Sequence, residues 1–280
     1  MMRKSTRSSI SVFLLILWSV SVAAAPDMFS GVVEHARYVG ALGLKGEVFH
    51  VQGLALDGPH LWITSVDLAR RRAYLHEFDR ATGRFVRRVE LTDGVRYHPG
   101  GLSLSGRSIF VPVAEPRPHS SAVLVEIDAD SLTVRRRIAV ADHLGCVAAS
   151  GQVLVAGNWD SALLYVFDQR TGTRLRVVPN RLPTQYQDMK FVGNQLVAGG
   201  TLTLWNGSVD WIDWPSMHLR RSVHAGAIGP LRPFGRGGPS TGEGMAIEGR
   251  DLYLLPEDGP SRVFHFRLDD RRLDNVPPRA

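Results

Sequence analysis

Three histidines recur at one place in a repeated stretch of the chain: His50 in HVQGLAL, His98 in HPGGLSL and His143 in HLGCVAA. Each stands three residues before the start of a short apolar run, at Gly53, Gly101 and Cys146. Two further copies of the run, opening at Asp188 and Gly244, carry Gln185 and Thr241 at that position. Neutral imidazoles that converge can ligate Zn, Fe, Mn or Ni, with carboxylates as added ligands, which would suit Ca as well, or as partners that orient the rings. The competing use of such a column is to satisfy backbone groups at strand ends. A second column is acidic: nine residues beyond the next turn glycines stand Asp67, Glu115, Asp160 and Asp258, with Leu202 in the fourth copy and Glu257 beside the fifth. A third, one residue before each apolar run, holds Gln52, Gln187 and Glu243.

Positioning these columns requires the repeat itself. The apolar runs open strand pairs such as GLALDGPHLWITSV, CVAASGQVLVAGN and GMAIEGRDLYLLP, turned at Gly58, Gly106, Gly151, Gly193 and Gly249. Most are followed by a hairpin with aspartate at the turn, as in AYLHEFDRATGRFVRRVEL and ALLYVFDQRTGTRLRVV. Gly53, Gly101, Cys146, Asp188 and Gly244 recur at about 45 residues, the period of a four-stranded propeller blade. No stretch beyond the N-terminal segment has a helical period, so the chain reads as all-β, a five-bladed β-propeller. The fifth unit lacks an outer strand, and HARYVGAL at 35–42 is expected to supply it and close the ring. Because the count rests on that strand, six blades remain the alternative.

In this geometry the connections into inner strands share a face with the ends of the second strands. The His, acidic and Gln/Glu columns are therefore expected at the mouth of the central channel. Trp159 and Trp205 fall in loops of that face, suited to stacking on a ring-shaped ligand, whereas Trp62 and Trp211 read as core. Arg117 and His119 lie on a long loop of the same region. The Gly/Pro-rich insertion 225–242 between the last two blades is read either as a lid or as a plain surface insertion. There is no Gly-x-Ser-x-Gly elbow, no His-Glu-x-x-His and no calcium-loop sequence.

The N-terminal segment carries a different message. MMRKSTR, the apolar ISVFLLILWSVSV and Ala23–Ala25 make a signal peptide over 1–25, cut after Ala25, with an uncleaved anchor as the alternative. Residues 26–280 then form one domain, secreted or periplasmic, soluble after cleavage and expected to be a monomer. The formal charge is +6, and Arg3, Lys4 and Arg7 account for half of it. The other basic runs, Arg70–Arg72 and Arg135–Arg137, are short and scattered, which argues against a nucleic-acid partner. Cys146 is the single cysteine, so no internal disulfide forms, and its apolar setting reads as a buried thiol.

The repeat resembles exported bacterial propellers of the YVTN, NHL and gluconolactonase-like group, and His-Pro-Gly-Gly-Leu with FVPVAEPRPHSS points to an uncharacterised family among them. FHVQGLALDGPHLW is also similar to the opening blade of plant-type glutamine cyclotransferases, five-bladed enzymes that form pyroglutamate, through Phe49, Gln52, Gly53 and Leu54. This chain departs from that family at Gly100, which stands where the family has an acid, and lacks its Glu-Gly-Trp-Gly pattern. Two functions stay open. In an enzyme, His50, His98 and His143 hold a divalent metal and Glu115 or Glu243 transfers protons. In a binding module, Gln52, Gln185, Gln187, Asp67, Asp160, Asp258 and Trp159 contact a small molecule, a peptide or a partner protein without chemistry.

Overall fold

The computed structural model describes residues 32–228, 237–256, 259 and 261–269. The segment 1–25 read as a signal peptide, the centre of the 225–242 insertion, Glu257 and Asp258 lie outside these residues. The first strand, β1 (Ala36–Gly43), is set aside until the ring closes. Blade one is β2 (His50–Asp57), β3 (His60–Asp67), β4 (Arg72–Asp79) and β5 (Phe85–Glu90). Blade two has a broken inner strand, β6 (His98–Pro99) and β7 (Ser103–Ser105), followed by β8 (Ser108–Ala114), β9 (Ala122–Asp128) and β10 (Val134–Val140). Blade three is β11 (Leu144–Ala149), β12 (Val153–Asn158), β13 (Leu163–Asp168) and β14 (Arg174–Pro179). Blade four is β15 (Gln185–Val192), β16 (Gln195–Thr201), β17 (Gly207–Asp213) and β18 (His218–Ala225). A small hairpin, β19 (Ala227–Ile228) with β20 (Gly238–Pro239), brackets the insertion. Blade five is β21 (Gly244–Glu248), β22 (Asp251–Leu255) and β23 (Arg262–Leu268), completed by β1 in the order β1-β23-β22-β21. The five-bladed ring is therefore closed by the N-terminal strand, as the sequence implied.

Burial follows position in the blade. Second strands are buried on both faces, as in β8 (SIFVPVA), whereas the outer β1 and β10 alternate between covered and open residues. At the closure Tyr38 opposes Phe266, their rings 5.7 Å apart. Trp62 and Trp211 are core residues, as expected. The outer hairpin turns also form as read. Asp79 accepts from the Thr82 amide at 2.8 Å and Asp168 from the Thr171 amide at 2.7 Å, and Gly83 and Gly172 take the left-handed conformation that follows. In two blades that slot holds Leu132 and Met217 instead; Asp128 still caps its turn through the Ser131 amide at 2.8 Å, whereas the Asp213 carboxylate bonds Gln195 and Arg220 and its backbone carbonyl accepts from Met217.

The arginine-rich composition has a structural use. Arg87 of blade one pairs with Glu77 and donates to the carbonyls of Ala129 and Asp130 in the turn of blade two. Arg136 of blade two pairs with Glu126 and donates to Gln169 and Arg170 carbonyls of blade three. Arg80 links blade one to Glu248 and Tyr253 of blade five. These side chains staple neighbouring blades, which accounts for basic residues spread around the ring.

The centre is held by one carboxylate. Asp188, with no exposed surface, accepts from the amides of Leu54 in blade one and Met245 in blade five, each at 3.0 Å, and from its neighbour Met189 at 2.9 Å. It is ion-paired with Lys190, whose ammonium also donates to the Leu102 carbonyl of blade two at 2.7 Å. Burial pushes the Asp188 carboxyl up to about 6, against the pull of Lys190 and the Met245 and Leu54 amides. Burial likewise lowers Lys190, against the pull of Asp188. Removing one partner of a buried pair strands the other charge, at a cost of about 3–5 kcal/mol. Asp188→Ala is expected to lower the free energy of unfolding by that order, and Asp188→Asn by less, since an amide oxygen still accepts from backbone N–H. Denaturant titration checks this; unchanged midpoints would remove the pair from its central role.

Candidate functional site

Above Asp188 the channel opens into a cavity of about 480 Å³. The polar columns reach it because of a shared backbone irregularity. Register shifts fall between Val51 and Gly53 in β2, between Leu144 and Cys146 in β11, and between Tyr186 and Asp188 in β15. The residue skipped in each case is Gln52, Gly145 or Gln187, and such bulges re-aim a side chain out of the strand's alternation. In blade two the inner strand breaks at the corresponding Gly100 and Gly101. In blade five Glu243 occupies the place just before β21.

His50 and Gln52 of blade one, His98 of blade two, Trp159 of blade three, Gln185 and Gln187 of blade four and Glu243 ahead of blade five all line this cavity. The sequence columns name all of these except Trp159, which reads there as a stacking aromatic of a loop on the same face. Of a second wall, Thr201, Leu202, Thr203 and Leu204 after β16, the columns touch only Leu202, the apolar member of the acidic column, and they miss a third, Gly237, Gly238, Pro239 and Gly242. The latter belongs to the described flank of the 225–242 insertion, which places that flank against the cavity. The signal available for it was the insertion's position alone; the Thr-Leu-Thr-Leu loop carries no residue type that stands out.

Other candidates sit elsewhere. Asp67 accepts from the Arg70 amide and guanidinium and closes its own loop. Asp160 accepts from the Ala162 amide at 3.1 Å in an exposed turn. Glu115 bonds Ser121 at 2.8 Å and pairs with Arg117; the Ser121 hydroxyl, then Arg117, hold its carboxyl below the usual range. None of the three lines the cavity. Asp258 lies outside the described residues.

The histidines split into two roles. His143 is buried, and its Nδ1 lies 2.9 Å from the Glu115 carbonyl and 3.2 Å from that of Arg117. Carbonyls only accept, so Nδ1 carries the proton and Nε2 bears the lone pair. Its ring meets Trp159 edge-on at 4.6 Å and stands 5.9 Å from the His98 ring. His143 thereby anchors the blade-two loop and braces the indole. His98 is half-buried at the cavity wall, with its Nδ1 wholly covered and lacking a hydrogen-bond partner. Burial, with His143 and His50 alongside, lowers its imidazole to about 3, so it is neutral near pH 7. Among the described residues, no group of three or more His, Cys, Asp or Glu side chains is placed to hold a metal ion. Cys146 is fully buried and its thiol is pushed up to about 12 by that burial, in keeping with a packing role.

A family model described as "Family of unknown function (DUF6454)" matches residues 34–235. A search of curated proteins finds no match. Among solved structures the chain is similar to glutaminyl cyclase from Myxococcus xanthus, at 14% identity and a TM-score of 0.61, covering 84% of this chain and 96% of that one. It is similar also to a chain of a Mitotic Checkpoint Complex crystal structure, at 13% identity and a TM-score of 0.50, covering 93% and 99%. At these identities the likeness is one of fold.

The depressed His98 value carries a sign. Between its ordinary 6.5 and about 3 the group is cationic when unfolded and neutral when folded. Unfolding then takes up a proton, so this contribution to stability is present above pH 6.5 and is lost as pH falls towards 3. In NMR titration the His98 imidazole shift is expected to stay flat from neutral pH down to about 4.5, since a group at about 3 is then still mostly neutral. A sigmoid centred near 6 would show that the ring is solvated rather than covered.

Proposed function

The chain belongs to the DUF6454 family of unknown function, and we propose that it is an exported propeller whose channel mouth binds a small neutral ligand rich in amide or hydroxyl groups. The reading rests on one observation: hydrogen-bonding side chains from several blades converge on a single cavity, with Trp159 at its edge. The described lining holds three glutamine amides, two imidazoles, two threonine hydroxyls and the single carboxylate of Glu243, and no lysine or arginine. Amides donate and accept at once, so a complementary ligand needs paired donors and acceptors; one lacking them leaves the wall unsatisfied. The volume of about 480 Å³ lies within the range that encloses small molecules. A monosaccharide or the end of a peptide meets these requirements. Export is supported by the leader sequence over 1–25.

Calorimetric titration with neutral monosaccharides and L-glutaminyl peptide amides tests the proposal. At least one is expected to bind, with affinity weakened roughly tenfold in Gln187→Ala and in Trp159→Ala, the loss of about 1.4 kcal/mol that one good contact represents. No binding by any probe, or unchanged affinity in both variants, would overturn it. Stoichiometric divalent metal in the purified protein, lost in His98→Ala, would replace it with a metal centre.

A catalytic version has its own support in Glu243, the one carboxylate in the described lining, and in the fold shared with a glutaminyl cyclase. A carboxyl there can move a proton between an attacking amine and a departing ammonia. In that version a glutaminyl peptide gives pyroglutamyl product and ammonia, and Glu243→Gln lowers the rate by about 10²-fold or more. Absence of product leaves binding without chemistry.

A further inference from the structure

We propose that Gly145 is a specificity-determining position: its missing side chain leaves the blade-three side of the polar ring open for a group of the bound ligand, beside Trp159. The proposal rests on the reading of the channel mouth as a ligand site and deepens it.

Glycines near the axis have visible reasons to be glycine. A Cβ on Gly100 would lie 1.9 Å from the Gly145 carbonyl oxygen, and one on Gly101 2.4 Å from that of Gln187. Gly53 and Gly244 would meet the neighbouring blade at 2.8 and 2.7 Å. Inner strands crowd together there, and only hydrogen fits. The turn glycines have the other reason, a left-handed backbone, as at Gly58 and Gly106.

Gly145 has neither. It is not among the residues with positive φ, and a Cβ built on it meets nothing closer than the Asn158 carbonyl oxygen at 3.6 Å and that of Trp159 at 4.0 Å. Those are ordinary contacts. It is half-buried, so the space beside it is open. Its place in the fold says where a side chain would go. Gly145 is the residue skipped by the register shift of β11, as Gln52 is in β2 and Gln187 in β15. Both glutamines line the cavity. A third side chain at 145 would join their ring and fill the sector next to Trp159. Blade two is empty at this level because packing forbids a side chain at Gly100; blade three is empty although packing permits one. A ligand group that enters this gap has the indole beside it and the amides of Gln52 and Gln187 in the same ring.

The test uses the full mature protein and three substitutions. In Gly145→Cys the new thiol is expected to react with a small methanethiosulfonate reagent at a rate within about tenfold of free cysteine, while wild type, whose Cys146 is buried with its thiol at about 12, stays unlabelled. Gly145→Gln is expected to keep the wild-type unfolding midpoint within a few degrees and to weaken the monosaccharide or glutaminyl probe by more than tenfold, with Gly145→Ala in between. Should Gly145→Gln fail to fold, Gly145→Ala decides: affinity equal to wild type overturns the proposal. Wild-type affinity in a folded Gly145→Gln, or an unreactive thiol in Gly145→Cys, overturns it as well. If wild type binds no probe, the ligand reading fails and takes the specificity role with it; a reactive thiol then shows only that the gap itself is real.

Discussion

Everything at the axis converges on the Asp188 carboxylate. A propeller has no hydrophobic centre of its own: five inner strands reach the axis with backbone groups that need partners. Here one carboxylate gathers amides from blades one, four and five, and its lysine partner reaches the backbone of blade two. The same pair divides the channel. Above it lies the polar cavity; below it Lys190 faces a smaller space of about 140 Å³ lined by Ala55, Leu104, Ala149 and Ile247. The close approach of the inner strands at Gly53, Gly101 and Gly244 adds to this floor.

The walls above the floor follow from how each inner strand begins. A regular strand alternates its side chains between two faces, and the channel would receive only every second residue. The bulges at Gln52, Gly145 and Gln187 interrupt that alternation where the strand meets the cavity. Crowding forces glycine at Gly53, Gly101 and Gly244, and also at Gly100 in blade two, while the bulges of blades one, three and four each free a position to vary. The result is a scaffold whose floor is fixed by packing and whose rim is set blade by blade. His143 adds rigidity by spending its N–H on the carbonyls of the blade-two loop and bracing Trp159 with its ring.

Much of this was legible in the sequence. The period of about 45 residues, the aspartate turns and the orphan strand at 35–42 are local signals, and each predicts the five-bladed ring. The cavity residues His50, Gln52, His98, Gln185, Gln187 and Glu243 were found by register, because equivalent positions in a repeat occupy equivalent places in space, and Trp159 by its type in a loop of the same face. The same logic could not separate His143 from His98. Their difference lies in whether loop carbonyls happen to fall beside the ring, which is a tertiary fact. Nor could it reveal Asp188 as the hub, since a charged residue opening a buried strand has a partner only once blades one and five arrive. The acidic column shows the limit of pattern alone: Asp67 at the end of β3 and Asp160 in the turn after β12 cap their own loops, a use that needs no ligand.

The closure of blade five has a consequence in time. β1 is made first and its partner β23 last, so on a ribosome the first strand waits unpaired while the rest of the ring is synthesised, on the order of tens of seconds. Its open edge is a template for any passing strand during that interval. The alternation of β1, ARYVGALG, with every second residue left exposed and two glycines in it, makes it a poor strand to capture by mistake. The first strand of the ring thus waits for its partner with little to offer a stranger, and a portion lacking either β1 or β23 cannot complete the circle.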